Sequence, residues 1–581
     1  MQTIYLKSPM KEEFKKYIKK EEYNPDINKT EIWIGDFSND PTIDPINIIC
    51  KIIPHFQNQN NKIIIDDYLQ YNNEKKWKKP LKFKYITFNR DVQFIFNSFD
   101  YNVKFINCIF MKNVLFGSCH FEENVEFAGC VFSQNTDFTC SVFNQKSNFL
   151  STKFEGLKND FSKIHFNKDT SFENIKVKSD INFSDSIFEE NVYFKGAILG
   201  GEANFSEVKF KTNQKDINAL ENINKKQKEE IDFSIVEFET VIFKDAIFRE
   251  NVRFHKSIFK NTANFTNTKF SKLVDFYCAH FYKPQQFYLT DFLDRAIFSN
   301  IEFDEEVQFL HCRVDSNSYI RFESATFKKS LDISRSNFND KANFWNIELE
   351  EGDAFTSSEY QNDFLEEAET ESTKNTPTIY KKIRETYRII KSNFYSQNNR
   401  IEALKFSKRE ILVYEKELKS LSTDKILLLA NKFSNNYGTN WVKGLLFTML
   451  SGFITYSTIL YIEEKVNSTY SILLICFLFV VIMSKTENIK EIQQKVSFVF
   501  FCCLYVTILC FCNTPFAINW ELFIEHYLKV LNVIDLKPFE KEENSIFNLS
   551  GLSYLFLFIG RIFIGYGYYQ TIQAFRKFGK S

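Results

Sequence analysis

The sequence predicts a β-solenoid followed by an α-helical hairpin and an α-helical membrane domain of about four spans, and three observations carry that expectation. Phenylalanine recurs at a fixed period from Phe83 to Phe344, and 42 of the chain's 67 Phe fall there. The ladder stops near Glu350, where apolar residues change to helical spacing. Four apolar stretches of 17 to 21 residues then follow. With 16 Gly and 10 Pro in 581 residues, the chain is too poor in turn-formers to be loop-rich or disordered.

The ladder sets the first element. From Phe88 the spacing alternates six and five through Phe94, Phe99, Phe105, Phe110, Phe116, Phe121, Phe127 and Phe132, an eleven-residue repeat that resumes from Phe233 to Phe309. A small or β-branched residue stands two before each Phe, as in Val103/Phe105 and Cys108/Phe110, so both point inward from a very short strand. Such repeats cannot bury a face alone and must stack as a solenoid. The sixth residue of the long step is often Asn or Asp (Asp91, Asn102, Asn113, Asn124, Asn135, Asp169, Asp180, Asn191, Asn251), types that tolerate the left-handed conformation a corner needs. The Phe-free segment Lys211 to Glu230 should project from the rod, and a smaller insertion lies near Asn317.

The units in NVEFAGCVFSQ (Asn124 to Gln134) resemble the pentapeptide-repeat family, a small residue, a polar residue, a central Leu or Phe and two polar residues. The resemblance runs from about 83 to 348 and implies a right-handed quadrilateral β-helix with 22 residues per coil, hence ten or eleven coils. Residues 1–82, with IWIGDF and NKIIIDDYLQ, read as a small α/β element capping the rod.

Composition bounds function. The 73 Lys plus Arg against 74 Asp plus Glu give no global field toward nucleic acid or acidic lipid. Between Lys82 and Glu350 the balance is 34 against 38, a poor imitation of a duplex, so the topoisomerase-binding DNA mimicry of some pentapeptide-repeat proteins is disfavoured and no nucleic-acid partner is expected. His120, His255 and His280 read as outward solvated residues, and Cys108, Cys119 and Cys130 as buried small filler with free thiols. No catalytic, cofactor-binding or metal-binding set stands out. The first thirty residues carry no signal-peptide pattern, so the rod is expected in the cytosol.

Beyond the rod, residues 349–425 form an acidic linker around Glu366 to Glu371 and a coupling hairpin. Its first helix begins about Pro377, with Ile379, Ile383, Tyr387, Ile390 and Phe394 on one face. Its second runs from Arg400 to about Lys419 with Ala403, Phe406, Ile411 and Tyr414 inward. Residues 426–581 hold the stretches Val442 to Ile462, Ser468 to Ser484, Val496 to Cys512 and Leu549 to Tyr569. Basic residues place both termini in the cytosol and the protein, multi-pass, in the plasma (inner) membrane. The segments LLLANKFSNNYGTNWVKGLLFT and GRIFIGYGYYQTIQAFRKFGK resemble bacterial pentapeptide-repeat membrane proteins, some described as ion-transport-like.

Within that domain GYG (Gly565 to Gly567) matches the core of a potassium filter, but too few residues follow it for an inner helix, so a helix contact is expected. Arg561 is the one charge inside a predicted span and either snorkels or lines a polar path. Trp520, Phe523, Tyr527 and Leu531 form a stripe with Glu521 and Glu525 opposite, read as a helix on the membrane surface or, more sharply, a re-entrant pore helix. The resulting expectation is a non-enzymatic membrane protein without cofactors. Its rod binds a cytosolic protein through Lys211, Lys215, Lys225, Lys226 and Lys228, and its spans anchor it in the lipid bilayer or form a homo-oligomeric pore. A gated channel or membrane-permeabilising effector is the alternative.

Overall fold

The computed structural model describes residues 15–24, 29–35, 44–56, 61–67, 69–71, 75–210, 231–315, 317–338, 340–349, 379–418, 422–462, 520–534 and 550–576. They fall into two compact units, Met1–Asn393 and Phe394–Ser581.

The first unit is a parallel β-solenoid of about twelve turns. It begins with β1 (Ile18–Asn24) and β2 (Lys29–Ile34), an antiparallel pair, then α1 (Pro45–Phe56). Four short strands, β3 (Asn61–Ile65), β4 (Leu69–Tyr71), β5 (Lys76–Trp77) and β6 (Leu81–Lys84), make the first coil, and β7 (Ile86–Phe88) opens the next by pairing in parallel on β3. Strands on the fourth face stack twelve deep, against the ten or eleven coils expected. The additional coil precedes the Phe ladder: its inward residues include Ile63, Ile65, Leu69, Trp77 and Leu81, so the Phe period could not reveal it.

Register follows the 22-residue coil, with Phe110 paired to Phe88 on one side and Phe132 on the other. Phe94, Phe99, Phe105, Phe110, Phe116, Phe121, Phe127 and Phe132 are each at most 1% exposed. Along a column the rings stack, Phe94–Phe116 at 5.1 Å and Phe116–Phe138 at 5.2 Å between centroids. Between columns they meet edge to face, as Phe116–Phe127 does at 5.7 Å and 72°. Both are the arrangements aromatic quadrupoles favour.

The small inward positions do more than fill space. Ser141 Oγ donates to the Phe116 carbonyl at 2.5 Å, Thr152 Oγ1 to Phe127 at 2.6 Å and Cys119 Sγ to Phe94 at 2.8 Å, one coil plus three residues back. Burial pushes the Cys119 thiol up to about 12, so it stays protonated and donates.

The corners differ from expectation. Left-handed residues fall two after alternate inward Phe, at Asn107, Ser118, Gly129, Cys140 and Ser151, and include the bulky Phe96, Ile235 and Leu289. The Asn and Asp predicted for that conformation instead bond between coils: Asp91 Oδ1 accepts from Asn113 N at 3.0 Å, and Asp169 Oδ1 from Asn191 Nδ2 at 2.9 Å. A different carboxylate or amide builds the corner, since Asp137 Oδ1 accepts from Thr139 N at 2.8 Å and Asn204 Oδ1 from Ser206 N at 2.9 Å, both Asx turns. Non-glycine residues hold φ > 0 because the next coil fixes them, as when Ile235 N donates to His255 O at 2.9 Å.

Both ends of the sheet are covered. At the start, β2 pairs with β3, and Asp44 caps α1 ahead of Pro45 while accepting from Tyr71 OH at 2.8 Å and Lys75 Nζ at 2.9 Å. Burial raises the Asp44 carboxyl, but those donors outweigh it and hold it below its ordinary value. A depressed carboxyl stabilises the fold above its unfolded value near 4 and loses that contribution as pH falls through the lower folded value. The stabilities of the wild type and Asp44→Asn should therefore draw together as pH falls below about 4 and meet once it has passed the lower folded value, read by hydrogen exchange of α1.

At the far end, α2 (Ile379–Ser396) covers the last coil. Thr386 Oγ1 accepts from Ile333 N at 3.2 Å, Asn393 Oδ1 from Ala342 N at 3.0 Å, and Asn393 Nδ2 donates to Phe338 O at 3.0 Å. The first helix of the expected coupler is thus also the cap of the rod. Asn393→Ala would remove both of these buried bonds between α2 and the last coil, an expected loss of about 1–3 kcal/mol in urea unfolding; an unchanged midpoint would contradict the capping role.

In the second unit α3 (Arg400–Glu417) is capped by Asn399, and Phe406 stacks on Phe394 at 5.7 Å. Ala403 and Phe406 are buried, whereas Ile411 and Tyr414, expected inward, are half-exposed. Then come α4 (Thr423–Asn435), α5 (Trp441–Ile462), α6 (Trp520–Leu531) and α7 (Gly551–Phe575). Among the described residues α7 alone meets the length and hydropathy of a membrane span, against the four expected. Ser468 to Ser484 and Val496 to Cys512 lie outside the described residues, as does Glu366 to Glu371.

Candidate functional site

Small residues bring α5 and α7 together as an antiparallel pair. A Cβ at Gly560 would overlap Thr455, one at Gly567 would meet Thr448 Oγ1 at 2.5 Å, and one at Gly444 would meet Thr571 Oγ1 at 2.7 Å. The threonine hydroxyls face the glycines and are satisfied on their own helices, Thr448 Oγ1 donating to Gly444 O at 2.9 Å and Thr455 Oγ1 to Ser451 O at 2.7 Å, so the close contact strands no polar group. At one end the pair is pinned by Trp441 stacked on Phe575 and by the buried amide of Asn435 bonded to Gln570. GYG is continuous α-helix: Gly567 makes the contact, and no described residue lies within 4 Å of a Cβ at Gly565.

Arg561 sits midway along α7, where Nη2 donates at 3.3 Å to the main-chain carbonyl of Lys529. That carbonyl belongs to the last turn of α6, whose oxygens lack helical partners and carry the negative end of the dipole. Alongside, Tyr527 OH donates to Met449 O at 2.7 Å, and Val530 packs against Tyr456, Ile459, Leu557 and Ile564. So α6 lies on the middle of the helix pair rather than across its end. The reason is its composition: His526 and Val530 extend the inward face beside Tyr527 and Leu531, while Ile524 and Leu528 are exposed on the other side. Glu525 pairs with Lys529 at 2.9 Å; the side chain of Glu521 lies outside those described.

On the rod, residues 211–230 leave and return at one corner between the third and fourth faces. Phe210 stays paired with Phe188 and Phe248, and Ile231 with Val192 and Val252. The smaller insertion near Asn317 uses the same corner, between Val314 and Tyr319. Lys211, Lys215, Lys225, Lys226 and Lys228 lie outside the described residues.

Elsewhere on the rod, charges pair from coil to coil, Lys104 with Glu126 at 2.9 Å and Lys168 with Glu190 at 2.7 Å. The densest network joins His280 to Asp304 at 3.0 Å, with Lys328 bonded to both Glu302 and Asp304 at one coil's remove. His280 is thus half-buried in an ion-pair network, not a solvated residue. Its nitrogen and the two carboxylates lie within 4.8 Å of one another, yet the Lys328 ammonium stands where a shared cation would. A 22-residue spacing of opposite charges was the sequence signal for Lys104–Glu126 and Lys168–Glu190, whereas the pairs of His280 and Lys328 fall off that spacing.

The fold therefore defines a parallel β-solenoid scaffold, a convex stack whose interior is filled by side chains. Residues 161–209 match the family model for pentapeptide repeats (9 copies), and that match together with the stacked coils supports the pentapeptide-repeat family for the rod. No curated protein and no solved structure matches the chain.

Proposed function

We propose that the chain is a non-enzymatic integral membrane protein, akin to the bacterial pentapeptide-repeat membrane proteins, whose cytosolic rod recruits a protein partner and whose four spans hold it in the plasma membrane with both termini cytosolic. One observation supports the membrane assignment above others: α7 exposes a broad apolar face, with Leu555, Phe558, Ile562, Phe563, Tyr569 and Ile572 each more than half exposed. For the rod, a surface of charges paired across coils favours a passive scaffold over a nucleic-acid mimic, which needs one sign of charge. The Phe-free segment 211–230 is the natural recognition element, since the strands on either side of it keep the rod's register.

A gated channel or permeabilising effector is the second reading, supported by α6 and Arg561 lying at mid-length of the helix pair as a re-entrant element would. Two experiments separate them. Deleting residues 211–230 should abolish capture of the partner from a membrane extract while the rod's melting stays unchanged; undiminished capture would remove that segment from the account. Ion flux from liposomes should be absent for an anchored scaffold, and flux that rises when the chain starts near Lys425 would establish a pore restrained by its rod.

A further inference from the structure

Between α4 and the α5/α7 pair runs a groove of about 740 Å³, within the range of roughly 300–1,000 Å³ that ligand sites occupy. Its walls are apolar, including Leu427, Phe433, Phe447 and Phe563, and two cations, Lys432 and Lys443, line it as well. The sequence order of the helices grades it. Lys432 stands in the last turn of α4 and Lys443 in the first turn of α5, near the end where Trp441 stacks on Phe575 and Arg576 follows. Phe447 and Phe563 lie farther along the pair, toward its middle. Trp and basic residues mark the level of lipid headgroups, and basic pockets between helices on that side take anionic headgroups.

We propose that this groove binds an anionic phospholipid, its phosphate between Lys432 and Lys443 and one acyl chain along Phe433, Phe447 and Phe563. The inference rests on the membrane assignment. Charge complementarity selects the occupant: a zwitterionic lipid would give up the advantage of two ammonium groups, and a free phosphate would leave the apolar walls unfilled.

The test uses full-length protein purified in detergent, with native mass spectrometry against added phosphatidylglycerol or phosphatidylcholine. The expected result is retained phosphatidylglycerol with at least a tenfold preference, lost in Lys432→Gln/Lys443→Gln and kept in Lys425→Gln, whose side chain is outside the groove. Ala430→Trp, which fills the groove, should displace the lipid without lowering the melting temperature. Equal retention of both lipids, or equal weakening by Lys425→Gln, would overturn the proposal. Inorganic phosphate competing as well as the lipid would overturn the acyl part, and a large loss of melting temperature in Ala430→Trp would show that the chain's own residues fill the groove. A protein that leaves membranes at alkaline pH and floats with no vesicle would instead refute the membrane assignment beneath it.

Discussion

Phe116→Ala is expected to destabilise the rod by about 3–5 kcal/mol. Phe116 is fully buried and stacked between Phe94 and Phe138, and it meets Phe105 and Phe127 edge-on. Truncation therefore removes both the transfer free energy of the ring and the column contacts above and below, and a stack of rigid coils cannot collapse into the void. Because each coil touches only its neighbours, the loss should appear as earlier opening of the coils around residue 116. Phe96→Ala is the matched control: Phe96 is 57% exposed at a corner, and its replacement should change stability by no more than about 0.5 kcal/mol. Urea unfolding with hydrogen exchange measures both, and equal costs would mean that the ladder is not what holds the coils.

Gly560→Val should separate α5 from α7. A Cβ at Gly560 overlaps the side chain of Thr455, so the branched residue must push the helices apart, and overpacking of this kind costs about 1–3 kcal/mol. Gly565→Val, five residues along the same helix and with no other described residue within 4 Å of its Cβ, should be silent. Melting of the detergent-solubilised protein reads the difference. If the two variants melt together, the glycine–threonine contact is not the axis of the pair.

How much of this was legible in the sequence varies by element. The rod was, because an inward side chain every five or six residues leaves a periodic mark that does not depend on distant contacts. Its first coil was hidden because isoleucine and tryptophan fill it, and nothing in NKIIIDDYLQY reveals a 22-residue register until Ile65 is seen beside Phe88. The corners were misplaced by position rather than by residue type: the Asn and Asp that end the long step, such as Asp91, bond between coils, while the left-handed site two residues after alternate Phe takes Asn107, Asn174, Asp245 and Asn267 as well as Phe96 and Ile235, which neighbouring coils hold there. The caps on the last coil, Thr386 and Asn393, sit 53 and 51 residues from the backbone they satisfy, beyond any local pattern. Arg561 was identifiable as unusual from its place in an apolar run, yet its partner is a main-chain carbonyl, which no side-chain pattern can announce.

The central claim, a rod fixed to one face of a membrane by apolar helices, is tested most directly by protease accessibility in sealed vesicles. Trypsin added to inside-out vesicles should remove the rod and leave a membrane-bound fragment containing α5 and α7, while right-side-out vesicles protect the rod. A rod digested from the outer face, or an intact chain washed off by alkaline carbonate before any protease is added, would contradict the account.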